Sequence, residues 1–287
     1  PAAFEIDRIG RLEREVFGPV LHVVRYQADR LEHVVDEINA TGYGLTMGVH
    51  SRIDGMWQRV YDRARVGNCY VNRNQIGAIV GVQPFGGQGL SGTGPKAGGP
   101  LYLERFVREG PADAGDAAAR PADAAGEPVD LKAPRIARKS LDQAVETLAK
   151  QGREWLPPVA ERAATLERAA AAIEGGAKPL QRIEGAGDAK AGAAYLRVYA
   201  AQAADELAQP KQMPGPTGER NELSFWPRGT VACLALSGVG DVSQLSALIA
   251  QAGAALAAGN TVLLWAEAEG AAAAVAKVLQ DAGVPGY

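Results

Sequence analysis

Between Gly67 and Tyr102 the chain reads GNCYVNRNQIGAIVGVQPFGGQGLSGTGPKAGGPLY, a short apolar strand running into a long glycine-rich loop. This stretch holds the residues best suited to touching a small molecule. The small residues of Ile76-Gly77-Ala78-Ile79 let the backbone be approached closely, and successive exposed N–H groups make a concavity that attracts an anion. Phe85, beside Gly86 and Gly87, offers an aromatic face on which a ligand's carbon chain can pack. The same glycines also suit a surface loop that only turns the chain, which is their commoner use. From the residues alone, both readings stand.

Other reactive side chains are less promising. Cys69 and Cys233 lie far apart in apolar, strand-like settings, which fits buried structural thiols in a reducing compartment and no disulfide framework. Cys69 has no adjacent His, Lys or Arg to lower its pKa, so it lacks what a nucleophilic thiol needs. His22, His33 and His50 show no metal-ligand spacing and read as structural.

The elements that must carry these residues follow from periodicity. Cys69 to Val71 forms a strand. Leu31, Val34, Val35 and Ile38 recur at helical spacing, so a core-facing helix capped by Asp29 is expected, ending near Thr41-Gly42. Met47 to Val49 reads as a short strand, and Ile53 to Ala64 as a helix with Trp57 and Val60 inward. Leu103 to Arg108 reads as one more strand. Composition then shifts to alanine, proline and aspartate over 110–134, a linker and domain boundary. Helices are expected over Leu141–Gln151, Val159–Ile173 and Ala191–Leu207. Strand Thr230–Leu236, helix Ser243–Leu256, strand Thr261–Trp265 and helix Ala271–Ala282 then form the start of a doubly wound parallel sheet.

At 287 residues, 47% hydrophobic and with a formal net charge of −3, the chain has room for one large or two medium domains. Nothing in it is basic enough for nucleic acid, and no apolar run of about 18 residues marks a membrane span. It opens without methionine close to a strand and stops after a second βα unit, which reads as a piece cut from a longer protein.

The string VNRNQIGAIVGVQPFGGQGLSGTGPKAGGPLYL resembles the aldehyde dehydrogenase superfamily. Within it, the string is most similar to the glutamate-semialdehyde (pyrroline-5-carboxylate) dehydrogenase modules of bifunctional proline utilization A enzymes. Glu15-Val16-Phe17-Gly18-Pro19 resembles that family's E-x-F-G-P motif. The resemblance implies that Gly77 and Ala78 belong to the loop holding the substrate's α-carboxylate, and that Phe85 lines the aldehyde channel. It also implies that Glu15 bridges the nicotinamide ribose hydroxyls of NAD, with Phe17 near the nicotinamide. An ionised carboxylate is a two-oxygen acceptor suited to a vicinal diol.

PGPTGERNEL and ALAAGNTVLL in the second half are similar to the cofactor-binding half of the same family, with departures at its working positions. Gly238-Val239-Gly240-Asp241 stands where the family carries an oxyanion-stabilising asparagine. Trp265, followed by Ala266-Glu267-Ala268-Glu269, stands where the family has a ribose-contacting lysine; Glu267 and Glu269 would repel a phosphate. The second half is expected to be a dinucleotide fold without its dinucleotide.

The expected fold is therefore α/β and aldehyde-dehydrogenase-like. Residues 1–109 form the C-terminal part of a catalytic domain, and 135–287 form helices followed by a partial Rossmann-like parallel sheet. By resemblance, the parent oxidises L-glutamate γ-semialdehyde to glutamate with NAD+, using a cysteine nucleophile and glutamate base upstream of this chain. An FAD-dependent proline dehydrogenase module is expected in that upstream part. Further expectations are a homo-oligomer and a cytoplasmic setting, with peripheral membrane attachment open to the parent. The competing reading, from another class, is a non-catalytic scaffold or tunnel-covering fragment.

Overall fold

The computed structural model describes residues 1–92, 94–106, 143, 146–147, 157–183, 185–236 and 243–285. Packing divides the chain into two compact units, Pro1–Pro121 with Gln212–Asn221, and Ala122–Lys211 with Glu222–Tyr287. The expected linker 110–134 and the Gly238–Asp241 turn lie outside the described residues, and the expected helix Leu141–Gln151 almost entirely so.

In the first unit, strands β1 (Ala2–Ile6) and β2 (Val20–Val24) pair in parallel, Ala2 opposite Val20. Helix α1 (Leu31–Ala40) buries Leu31 and Val35 and half-buries Val34 and Ile38, the stripe read from the spacing. Asp29 is not its cap. It lies inside a 3-10 turn, Ala28–Arg30, and Arg30 holds the N-cap position without a side-chain bond, because the turn already bends the chain into the helix.

Short strands β3 (Tyr43–Gly44) and β4 (Thr46–Val49) lead to helix α2 (Asp54–Arg63) and strand β5 (Asn68–Val71), which pairs in parallel with β4. Leu31, Val35, Val49, Val60 and Ala64 make the core, with Trp57 and Cys69 packed against it. Asn39 joins the ends of the two helices: its amide donates to the Arg63 carbonyl at 2.9 Å and its oxygen accepts from the Arg65 N–H at 2.8 Å. Arg63 also grips Asp36 through two hydrogen bonds of 2.6 and 2.7 Å.

Strand β6 (Gln88–Gly89) then pairs antiparallel with β3, closing the glycine-rich loop back onto the unit. Leu103–Phe106 is a 3-10 turn rather than the start of a strand. Tyr102 and Phe106 meet edge to face at 5.6 Å, a contact between residues four apart that an extended chain could not make. Strands β7 (Lys211–Met213) and β8 (Asn221–Leu223) form a hairpin whose residues 212–221 pack as part of this first unit.

The second unit begins, among its long helices, with α3 (Val159–Glu174) and α4 (Ala189–Glu206), followed by β9 (Thr230–Ala235), α5 (Gln244–Ala257), β10 (Thr261–Ala266) and α6 (Ala271–Asp281). β9 and β10 pair in parallel, Thr230 opposite Thr261, as the strand-helix-strand order requires. Ser243 caps α5 by accepting from the Ser246 N–H at 3.3 Å. Buried Asn260 accepts from the Arg228 and Gly229 amides at 2.6 and 3.1 Å and donates to the Ala255 carbonyl at 3.1 Å, so one side chain sets where both strands begin. From α3, Arg162 and Arg168 donate to the carbonyls of Ala257 and Ala282, each at 2.9 Å, near the C-terminal ends of α5 and α6. Leu166, Leu196, Leu245, Leu248, Ile249 and Val275 fill the core between these elements.

Candidate functional site

Strand β5 is followed by Asn72, whose φ of 55° is left-handed. Its carboxamide compensates by exchanging two 2.9 Å hydrogen bonds with the Ser51 backbone, so the chain leaves the strand in a fixed direction. Asn74 then accepts from the Ile76 N–H at 3.0 Å, and Gln75 accepts from the Thr46 hydroxyl at 3.2 Å. The chain returns at Gly81, whose N–H donates to the Gly98 carbonyl at 2.8 Å, and at Val82 and Gln83, whose amides both donate to the Ile79 carbonyl.

Between these anchors, residues 76–80 are exposed. Gly77 adopts φ 86° and Gly81 φ 74°, conformations that cost other residues strain. Among the described residues, the N–H groups of Gly77, Ala78, Ile79 and Val80 donate to no protein acceptor. Four consecutive free amides on a loop held at both ends can bind an anion.

The loop ends share one carboxylate. Glu219, from the hairpin segment, accepts from Arg73 Nη1 at 3.0 Å and from Gln83 Nε2 at 3.0 Å. The Arg73 guanidinium also lies 5.3 Å from the Tyr70 ring centroid. One acidic side chain thus ties residue 73 to residue 83 around the exposed loop.

Phe85 is 37% exposed and bridges to Ala97, exchanging backbone hydrogen bonds of 3.0 and 2.9 Å. Its neighbours are held by Asn68, which donates to the Pro84 carbonyl at 2.9 Å and accepts from the Gly86 N–H at 3.2 Å. A Cβ on Gly98 would come 3.1 Å from the Val80 Cα, and one on Gly99 would come 3.1 Å from the Pro84 ring, so the glycines after Lys96 let that segment back directly onto the loop.

The site residues expected from the sequence thus fall into two groups. Gly77, Ala78 and Phe85 share the braced loop. Glu15 and Phe17 lie between the 3-10 turn Ile9–Arg11 and β2, and no hydrogen bond among the described residues links them to that loop. Phe17 is 93% exposed. Glu15 makes no hydrogen bond or ion pair with the described residues, which leaves both carboxylate oxygens available to a diol. That donor and acceptor chemistry fits a nicotinamide ribose. Burial pushes the Cys69 thiol up, away from the thiolate a nucleophile must reach.

Asn68, Gln83, Lys96 and Glu219 escape sequence reasoning, although Lys96 leaves a trace as a lone cation in a glycine run. Glu219 leaves none, because its partners are 146 and 136 residues away. Among the described residues no cluster of three metal-ligating side chains occurs, and no helix is long and apolar enough to cross a membrane.

Residues 9–109 match the model of the aldehyde dehydrogenase family. The chain is 42% identical over 252 residues to the bifunctional protein PutA of Klebsiella aerogenes, covering 87% of this chain and 16% of that protein. It is 44% identical over 105 residues to the 1-pyrroline-5-carboxylate dehydrogenase of Geobacillus sp. (strain WCH70), covering 36% of this chain and 20% of that enzyme. Among solved structures, a mutant of Bradyrhizobium japonicum proline utilization A aligns at 65% identity over 37% of this chain and 11% of its own, with a TM-score of 0.36. The chain thus spans about a fifth or less of the length of each of these relatives.

Proposed function

We propose that residues 1–109, with the Glu219 hairpin, form the substrate-anchoring part of an NAD-dependent L-glutamate γ-semialdehyde dehydrogenase within a longer, PutA-like protein. The observation that carries this reading is the row of free amides from Gly77 to Val80 on a loop tied at both ends. A substrate with a carboxylate at one end and an aldehyde at the other needs such an anchor, because holding the carboxylate aims the aldehyde at a nucleophile elsewhere. Gly77 and Ala78 bind the carboxylate, and Phe85 walls the carbon chain. Glu15 accepts from the nicotinamide ribose hydroxyls, and Phe17 packs near the nicotinamide. NAD+ supplies the hydride acceptor when bound. The names of the relatives support the choice of substrate.

The nucleophile and general base are assigned to an upstream catalytic module, since neither cysteine here is activated. Ile76, Val80, Leu103 and Phe106 are each more than two-thirds exposed, apolar side chains available to pack against that module. By the same reading the parent carries FAD in a proline dehydrogenase module, is cytoplasmic, and assembles as a homo-oligomer. The second unit is assigned a non-catalytic, packing role, because Trp265 and Glu269 provide no cation for a nucleotide.

The test is NADH formation from pyrroline-5-carboxylate and NAD+, by the full-length protein and by this chain alone. Turnover by the parent but not by the fragment is expected; turnover by the fragment overturns the assignment of the nucleophile. In the parent, Ala78→Asp puts a carboxylate where the substrate's own must sit and raises KM. An unchanged KM rejects the anchor.

A further inference from the structure

The clearest group left without a role is the Lys96 ammonium. It donates to the Gly67 carbonyl, to Asn68 Oδ1 at 3.2 Å and to the Gly86 carbonyl at 2.6 Å. An ammonium has three donors, and here each has an oxygen. All three oxygens are neutral, and no carboxylate lies within ion-pair distance of Lys96 among the described residues. A half-buried charge without a counter-charge is costly, and burial pushes the pKa of this amine down.

The expense has a local cause. Gly67 and Gly86 come together without side chains; a Cβ on Gly67 would overlap the Gly86 carbonyl oxygen, and one on Gly87 would come 2.6 Å from the Ser91 Cβ. Backbone packed this closely directs the carbonyls of Gly67 and Gly86 at one point. Two carbonyl oxygens facing one another repel, and a cation between them turns repulsion into attraction. Lys96 supplies that cation.

What the cation fixes is the residue between the clamped peptides. Phe85 has its own N–H and C=O bonded to Ala97, which directly follows Lys96. The carbonyl before it is held by Asn68, the amide after it by Asn68, and the next carbonyl by Lys96. With the backbone held on both sides, only the ring's own side-chain torsions remain free.

We propose that Lys96 is a positioning residue for the aldehyde channel: its ammonium group, together with the Asn68 carboxamide, locks the backbone around Phe85 and so sets where the channel wall stands. This rests on the reading of Phe85 as that wall. A positioning residue differs from a fold staple in that its loss raises the KM for the aldehyde alone.

The experiment uses the full-length protein, with Lys96→Met, Phe85→Ala and the double variant assayed for NADH formation against glutamate γ-semialdehyde. K96M removes the charge at nearly unchanged volume. The expected result is a KM for the aldehyde raised about tenfold, the scale of a misfitted apolar contact, with kcat and the KM for NAD+ within about twofold. In the F85A background K96M should add almost nothing, because the wall it positions is gone. An unchanged aldehyde KM overturns the proposal, and so does an equal rise in the F85A background. If K96M does not fold, Asn68→Ala removes the other arm of the same clamp; it must show the same KM-only signature, and its absence rejects the inference.

Amide exchange gives a readout independent of turnover. K96M should speed exchange over residues 84–88 and leave residues 31–40 of α1 unaltered; unaltered exchange over 84–88 overturns the clamp. If the wild-type protein forms no NADH, the functional reading fails by itself, and the exchange result still decides whether Lys96 holds this segment.

Discussion

Glu219→Ala removes the carboxylate that joins the two ends of the anchor loop. Two hydrogen bonds of 3.0 Å are lost, one of them to a guanidinium. A hydrogen bond to a charged group contributes about 1.5–3 kcal/mol. The side chains of Arg73 and Glu219 are 28% and 32% exposed, so solvent screening reduces the pair toward about 1–2 kcal/mol. If all of that stability serves to keep the loop in its binding conformation, the KM for a carboxylated aldehyde rises about 5- to 30-fold. Glu219→Gln separates charge from connectivity. The Gln83 oxygen has no hydrogen-bond partner, so its carboxamide can rotate to accept from the new amide while Arg73 keeps a neutral acceptor. Glu219→Gln should therefore raise KM by only about two- to fivefold. The assay is NADH formation by the full-length protein against glutamate γ-semialdehyde, with an aldehyde lacking the carboxylate as control. Equal shifts for both aldehydes, or a KM within twofold of wild type for Glu219→Ala, would refute the reasoning.

Two further predictions concern the second unit. Burial pushes the Cys233 thiol up to about 11 from an ordinary value of 9.0. The native state thus keeps its proton where the unfolded chain has lost it, and stability falls as pH rises from about 9 to about 11, by roughly 2–3 kcal/mol. Urea unfolding across that range should show the loss, and Cys233→Ala should remove it; a flat profile in the wild type contradicts the burial argument. Gly253 lies inside α5, where alanine would normally favour the helix by about 1 kcal/mol. A Cβ there overlaps Leu196 of α4 and comes 3.3 Å from Tyr199. Gly253→Ala should instead destabilise by about 1–3 kcal/mol, and a raised melting temperature would show that Leu196 yields freely.

Local patterns were legible where a single element decides them. The helical stripe of Leu31, Val34, Val35 and Ile38 appears as read, because burying one face of one helix needs only the chain's own period. The parallel pairing of β9 and β10 follows from the helix between them. Asp29 and Leu103–Phe106 depart from the sequence expectation because a 3-10 turn and the first residues of a helix or strand share composition, and only backbone hydrogen bonds separate them.

Gly77, Ala78 and Phe85 carry, in the sequence, the glycine pattern and aromatic type that a binding loop needs. Tertiary structure alone decided that the loop is held. The hairpin 212–221 packs with the first unit, and its Glu219 reaches Arg73 and Gln83 across 146 and 136 residues. Lys96 reaches Gly67 across 29 residues because three glycines let the backbones close on one another. Backbone permissiveness is a property of each residue and shows in a one-dimensional string. A hydrogen bond between distant residues exists only once packing has brought its partners within about 3 Å.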